Sequence, residues 1–104
     1  MTSQGHTRTV FRRALERGNL LVAELEARGG GRLDLRESLE LTALVALHDR
    51  PRGERYAIRW LLCWLDETPA APITDVALVT ASLAALGGQA HNDALSLLRT
   101  RCQP

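Results

Sequence analysis

Lysine is absent from this 104-residue chain; all 13 basic side chains are arginine. Arginine grips carboxylates and phosphates bidentately where lysine presents a point charge. A GC-rich coding sequence produces the same bias and also enriches Ala, Gly, Leu and Val, which are abundant here. Aromatic residues are scarce: one Phe, one Tyr and two Trp, with a single Met. Cys63 and Cys102 are the two cysteines. They form no CxxC pair and no Cys/His cluster, which excludes zinc-ribbon and thioredoxin-like chemistry. Cys63 lies in an apolar run and reads as a small buried hydrophobe. Excess charge is missing too: 12 acidic residues leave a formal net charge of +1. Nucleic-acid binders carry a stronger basic excess, and a near-neutral chain has little self-repulsion to oppose association. There is no long apolar run. Residues 76–86 are the longest weakly polar stretch, too short to span a bilayer and containing Thr80 and Ser82. Residues 1–15 are polar and arginine-bearing, without the apolar centre of a signal peptide. The expected compartment is the cytoplasm, with no membrane association.

What remains is a chain of ordinary globular composition, 45% hydrophobic and 24% charged. Its length fits one domain, residues 1–104, with residues 1–8 read as a flexible tail. Such a domain buries roughly two-thirds of its unfolded surface, enough for a core without metal or disulfide. Breaks fall at Gly29-Gly30-Gly31, at Asp49-Arg50-Pro51-Arg52-Gly53, at Thr68-Pro69-Ala70-Ala71-Pro72 and at Gly87-Gly88. The five segments between them read as helices, which predicts an all-α fold of about five antiparallel helices, a helical-hairpin array or bundle.

The first predicted helix covers residues 9–28, with Phe11, Leu15, Gly18, Val22 and Leu25 on one face. The second starts at Asp34, which forms a capping-box pattern with Glu37, and ends at Asp49. Leu35, Leu39, Thr42 and Ala46 make one stripe and Leu41, Leu44 and Val45 another, so it should pack against more than one neighbour. The third, residues 54–67, is the most apolar and is expected at the centre. Ala57, Ile58, Leu61, Leu62 and Leu65 form its broad face, with Leu61 expected to be fully buried. Tyr56, Trp60 and Trp64, at i, i+4 and i+8, form an aromatic ridge on its flank, which reads either as core or as an interaction site. Thr74 is the expected N-cap of the fourth helix, which packs through Val76, Val79, Leu83 and Leu86. The fifth, residues 92–102, packs through Ala94, Leu95 and Leu98. Residues 43–47 resemble 82–86, and Ala57-Ile58-x-x-Leu61 resembles Ala94-Leu95-x-x-Leu98, a pattern that either paired hairpins or shared amphipathic spacing produces.

No motif specifies catalysis. The glycine runs follow helices rather than strands, and H-E-x-x-H and G-x-S-x-G are absent. His6, His48 and His91 stand singly, so no catalytic residue, metal site or cofactor is expected, and an enzyme is disfavoured. Arg50, Arg52, Arg55 and Arg59 cluster at the start of the third helix. There they would bind an anion at exposed amides, or pair within the chain with Asp66 or Glu40. Residues 83–99 resemble a helix-turn-helix, but Gly88 replaces the usual apolar turn residue and Asp93 would face phosphates. The expected role is a non-catalytic protein–protein interaction module, binding a protein partner or itself as a homodimer. The alternative is a helix-turn-helix nucleic-acid binder, against which the charge balance argues.

Residues 17–24, 33–44, Arg59-Trp60-Leu61-Leu62 and 83–88 together resemble small uncharacterised all-helical proteins of high-GC bacteria, over about residues 10–99. The resemblance implies a helical fold and no activity, and carries no functional residue across.

The Asp34 cap generates a test. Asp34→Ala removes an acceptor for exposed helix amides and a negative charge at the positive helix end. It should cost about 1 kcal/mol, read as a lower urea midpoint; an unchanged midpoint would refute the cap.

Overall fold

The computed structural model describes residues 3–102, in which the helices are joined by turns and no strand occurs among the described residues. Six helices follow one another: α1 (Ser3–Glu16), α2 (Leu20–Gly29), α3 (Leu35–His48), α4 (Arg50–Glu67), α5 (Ile73–Ala85) and α6 (His91–Thr100). Residues 3–8, read above as tail, belong to α1; residues 1 and 2 lie outside the described residues. The first predicted helix is two. Gly18 has φ +69°, a left-handed conformation that glycine adopts without a Cβ penalty. Asn19 then caps α2, its side-chain oxygen accepting from the Val22 amide at 3.2 Å. The apolar stripe therefore does not run straight: Phe11 is buried while Leu25 is exposed.

The second predicted helix is α3, bounded as expected. Asp34 accepts from the Glu37 amide at 2.8 Å and Glu37 accepts from the Asp34 amide at 3.1 Å, completing the capping box. Glu37 also meets the Arg8 guanidinium at 3.0 Å, and Arg8 donates to the Arg32 carbonyl at 3.0 Å, which fastens α1 across the start of α3. At the far end one residue joins two helices. The Asp49 amide donates to the Val45 carbonyl and ends α3, while its side chain accepts from the Arg52 amide and starts α4. The expected five-residue break is thus a single residue. Pro51 sits in the first turn of α4, where its missing N–H costs nothing.

Both apolar stripes of α3 are buried except for half-buried Leu35, and they feed two clusters. Leu39, Ala43 and Ala46 join Trp60, Trp64, Val79, Leu83 and Leu98, whereas Leu41, Leu44 and Val45 join Phe11, Ala14 and Ala23. The central helix is therefore α3, touching α1, α2, α4 and α6, and not α4. Two stripes on one helix locate the centre. The predicted main stripe of the fourth helix lies inward on α5 except for half-buried Val76, and Ala94, Leu95 and Leu98 of α6 are buried. Thr74 does not cap α5, which begins at Ile73 after Pro72. The sequence repeat is not matched in burial: Ile58 is exposed where its counterpart Leu95 is buried.

Position 46 is where three segments meet. A Cβ added to Gly53 would lie 2.5 Å from the Ala46 Cα, and one added to Gly87 would lie 2.5 Å from the Ala46 carbonyl oxygen. Gly87 also has φ +84°. Its amide donates to Nδ1 of buried His91 at 2.8 Å, so the imidazole is neutral with its proton on Nε2. Burial, and after it the Arg99 charge, push the His91 pKa below its ordinary 6.5.

Two tests follow from this junction. Gly53→Ala should lower stability by about 1–3 kcal/mol, the usual cost of overpacking. Gly29→Ala, in a helix with nothing within 4 Å of the new methyl, should be neutral or stabilising by up to about 1 kcal/mol. Equal urea midpoints for the two variants would contradict the close approach of α3 and α4. For His91 the unfolded chain takes up a proton at higher pH than the folded chain. Stability is complete above about pH 6.5 and is lost as the pH falls through the lower folded pKa. Glu24 and Glu40, both held below 4.5, act only at more acid pH. The thermal midpoint should fall from about pH 7.5 to about pH 5.5, and His91→Gln should flatten that slope; an equal slope in the variant would refute the assignment.

Candidate interaction surface

The inward stripe of α4 is Gly53, Ala57, Trp60 and Trp64, at steps of four, three and four. Trp60 is 1% exposed and donates to the Leu35 carbonyl at 2.9 Å; Trp64 is 2% exposed and donates to the Arg101 carbonyl at 3.3 Å. The aromatic ridge is thus no exposed binding flank. Trp60 and Trp64 are core, and Tyr56 is half-buried, donating to Glu24 of α2 at 2.6 Å. An indole buries more apolar area than a leucine or isoleucine and needs a partner for its N–H, so the tryptophans win the inward position. Gly53 and Ala57 in line with them let α3 approach. The helix is consequently rotated from the expected setting. Leu61 is half-buried rather than fully buried, Cys63 is exposed, and Ile58 and Leu62 are 53% and 62% exposed.

Between α4 and α5 this rotation leaves a groove of about 740 Å³. Ala46, Gly53, Ala57, Leu83 and Leu86 lie at its base, where they are buried. Ile58 and Leu61 line it from α4 and Thr80 and Ala84 from α5, with Arg50, Glu54 and Arg55 also along it. Along α5, Ile73, Ala77, Thr80 and Ala84 follow at four, three and four residues and so share that side. All four are exposed, Ile73 at 81%, and none is charged.

The four arginines expected to bind an anion together separate into two pairs, Arg50 and Arg55 along the groove and Arg52 and Arg59 at the Tyr56 ring. Arg52 pairs with Glu24, and Arg59 stacks on the Tyr56 ring with its guanidinium carbon 4.8 Å from the centroid. Arg50 reaches the Ala84 carbonyl at 3.4 Å, and Arg55 lines the groove. The helix start that was to hold the anion carries a carboxylate already, since Asp49 accepts from the Arg52 amide at 3.2 Å. The intramolecular partner is Glu24, neither Asp66 nor Glu40.

The remaining shifted groups are engaged within the fold. Burial raises the Glu24 pKa, but the hydrogen bonds from Tyr56 and Arg52 and the nearby positive charges lower it further, to a net value below 4.5. Glu40 behaves alike. Burial opposes its ionisation, and Arg99, at 2.7 and 2.8 Å, with Arg36, at 3.0 Å, overcomes that opposition. Burial and Glu24 raise Tyr56, and burial pushes the Cys102 thiol up to about 11. None of these groups lines the groove. A second hollow, lined by Arg12, Leu15, Glu16, Asp34, Arg36, Glu37, Glu40 and Arg99, surrounds the Glu40 pairs. On α6, Arg99 is committed to Glu40 and Arg101 lies 3.6 Å from Asp75, while Asn92, Asp93 and Ser96 are exposed. A recognition helix needs the opposite charge on that face. Among the described residues no group of three or more His, Cys, Asp or Glu could hold a metal ion, and no helix is long and apolar enough to cross a membrane.

No family model, curated protein or solved structure matches the chain.

Proposed function

We propose that this protein is a non-catalytic interaction module whose α4–α5 surface receives a helix from a protein partner, a second copy or another chain. In this reading successive helices run antiparallel as a hairpin array, and the outer face of one hairpin is the working surface. The carrying observation is the pair Ile58 and Leu62, more than half exposed one helical turn apart beside the uncharged face of α5. Neighbouring large apolar side chains exposed at the edge of a groove, which Ile58 lines and Leu62 adjoins on the same helix, mark a contact site, whereas scattered ones do not. Small residues at the base admit a helix closely, and helix-in-groove recognition uses anchors at i and i+4. The nucleic-acid reading has no comparable support, because both α6 arginines are engaged by carboxylates.

The test compares the tagged chain with an Ile58→Asp/Leu62→Asp variant in cells that also express the untagged chain. A folded variant should recover a specific partner, or the untagged copy, at least about tenfold less well, the effect of removing two apolar anchors. Equal recovery of everything bound would refute this surface.

A further inference from the structure

We infer that the occupant of this surface is a second copy of the same chain, with the two α4 helices packed antiparallel about a two-fold axis. The inference rests on the interaction-module reading and adds the partner and its orientation.

The argument comes from the order of side chains along the outer face of α4. Arg55 stands in its first half, Ile58 and Leu62 in the middle, and Asp66 in its last turn, all exposed. At about 100° per residue, Arg55, Leu62 and Asp66 fall within about 40° of one another around the helix, with Ile58 beside Leu62 towards the groove. Neither Arg55 nor Asp66 makes an ion pair among the described residues, so both charges are available to a partner. Arg59, about 20° further round the helix than Asp66, is turned onto the Tyr56 ring; the rest of the face runs cation, apolar, apolar, anion and complements itself in one orientation only. Parallel pairing sets Arg55 against Arg55 and Asp66 against Asp66. Antiparallel pairing about an axis between residues 60 and 61 sets Arg55 level with the partner's Asp66. It also sets Ile58 within one residue, about 1.5 Å of rise, of the partner's Leu62. The same contact recurs across the axis, as a two-fold interface requires.

The size is adequate. α4 has 18 residues, about 27 Å, and α5 beside it makes the surface about 20 Å wide at ordinary interhelical spacing. A standard interface takes about 800 Å² from each partner, roughly an eighth of the 6688 Å² surface of this chain. The partner's α4 would lie along the mouth of the groove, over the uncharged side of α5, and the net charge of +1 offers little repulsion.

Complementary charge reversals test both pairing and direction. The purified wild type should sediment as a dimer at tens of micromolar. Arg55→Asp places two aspartates opposite each other, and Asp66→Arg places two arginines opposite each other, so each variant alone should be a folded monomer. A one-to-one mixture should dimerise again, because Asp at 55 of one chain then meets Arg at 66 of the other, and Arg at 55 meets Asp at 66. Rescue on mixing cannot arise from misfolding of either variant. Wild type that sediments as a monomer overturns the inference, as do variants that remain dimeric or a mixture that remains monomeric. A monomer that still captures another protein through Ile58 and Leu62 would leave the interaction-module reading standing, so the two failures are separable.

Discussion

The α3–α4 crossing at Ala46 governs the rest of the arrangement. Side chains at positions 53 and 87 are excluded there by the Ala46 backbone itself, since the nearest atoms are its Cα and its carbonyl oxygen. A backbone cannot retreat as a flexible side chain does, so the glycines are required by geometry. With α3 and α4 joined by the single residue Asp49, this contact fixes where α4 goes and, through Gly53, which of its sides faces inward. Trp60 and Trp64 then lie on the same side as Gly53, and their indole N–H groups reach the carbonyls of Leu35, at the start of α3, and Arg101, at the end of α6. Gly87 completes the junction from the other direction. Its left-handed turn passes beside Ala46 and its amide is held by His91, which seats α6 against α3. The outward setting of Ile58 and Leu62 is a consequence of these contacts.

Much of the fold is legible in the sequence because local rules decide it. The Asp34 capping box, the end of α3 at Asp49 and the two stripes of α3 all depend on residues within a few positions of one another. What is hidden depends on partners distant in sequence. Gly18 looks like one more small residue on the face of a long helix, yet it takes a positive φ and divides that helix. Gly53 looks like part of a turn, yet it is interhelical contact surface within α4. The rotation of α4 is the costliest error, since an apolar arc wider than half the circumference fits two settings equally well by periodicity. The deciding signal was present as the small residues Gly53 and Ala57 in register with Trp60 and Trp64, and it gains its meaning only once α3 is known to cross there.

The all-arginine composition acquires a structural sense in the same way. A guanidinium can meet both oxygens of a carboxylate, and Arg99 does so with Glu40 across 59 positions of sequence. Arg8 joins α1 to α3 through Glu37, and Arg52 joins α4 to α2 through Glu24, where Tyr56 shares the carboxylate. These pairs connect helices that have few other long side chains to join them, in a chain with one Phe and one Met. They also show how the fold divides an arginine cluster of the sequence: Arg52 is committed to Glu24 and Arg59 to the Tyr56 ring, while Arg50 and Arg55 lie along the groove.

The shape of the molecule decides why an uncovered face exists at all. Its extents are 42 × 29 × 20 Å, and the shortest is only about two helix diameters. In a body two helices deep, each helix can be covered from the inside and from its sides, and none can be wrapped all round. α3 comes nearest, with four neighbouring helices, whereas the backbone of α4 runs close only to α3 and α5, and its Arg52, Tyr56 and Trp64 side chains reach further, to Glu24 and to the Arg101 carbonyl. A helix in that position needs a narrow apolar stripe, and the buried positions Gly53, Ala57, Trp60 and Trp64 already constitute one. Ile58 and Leu62 are surplus to it, and folding of a single chain does not call for them. Arg55 and Asp66 flank them on the outer side and make no ion pair among the described residues. Surplus apolar residues bracketed by unpaired opposite charges on one helix are what a second, antiparallel copy of that helix would satisfy.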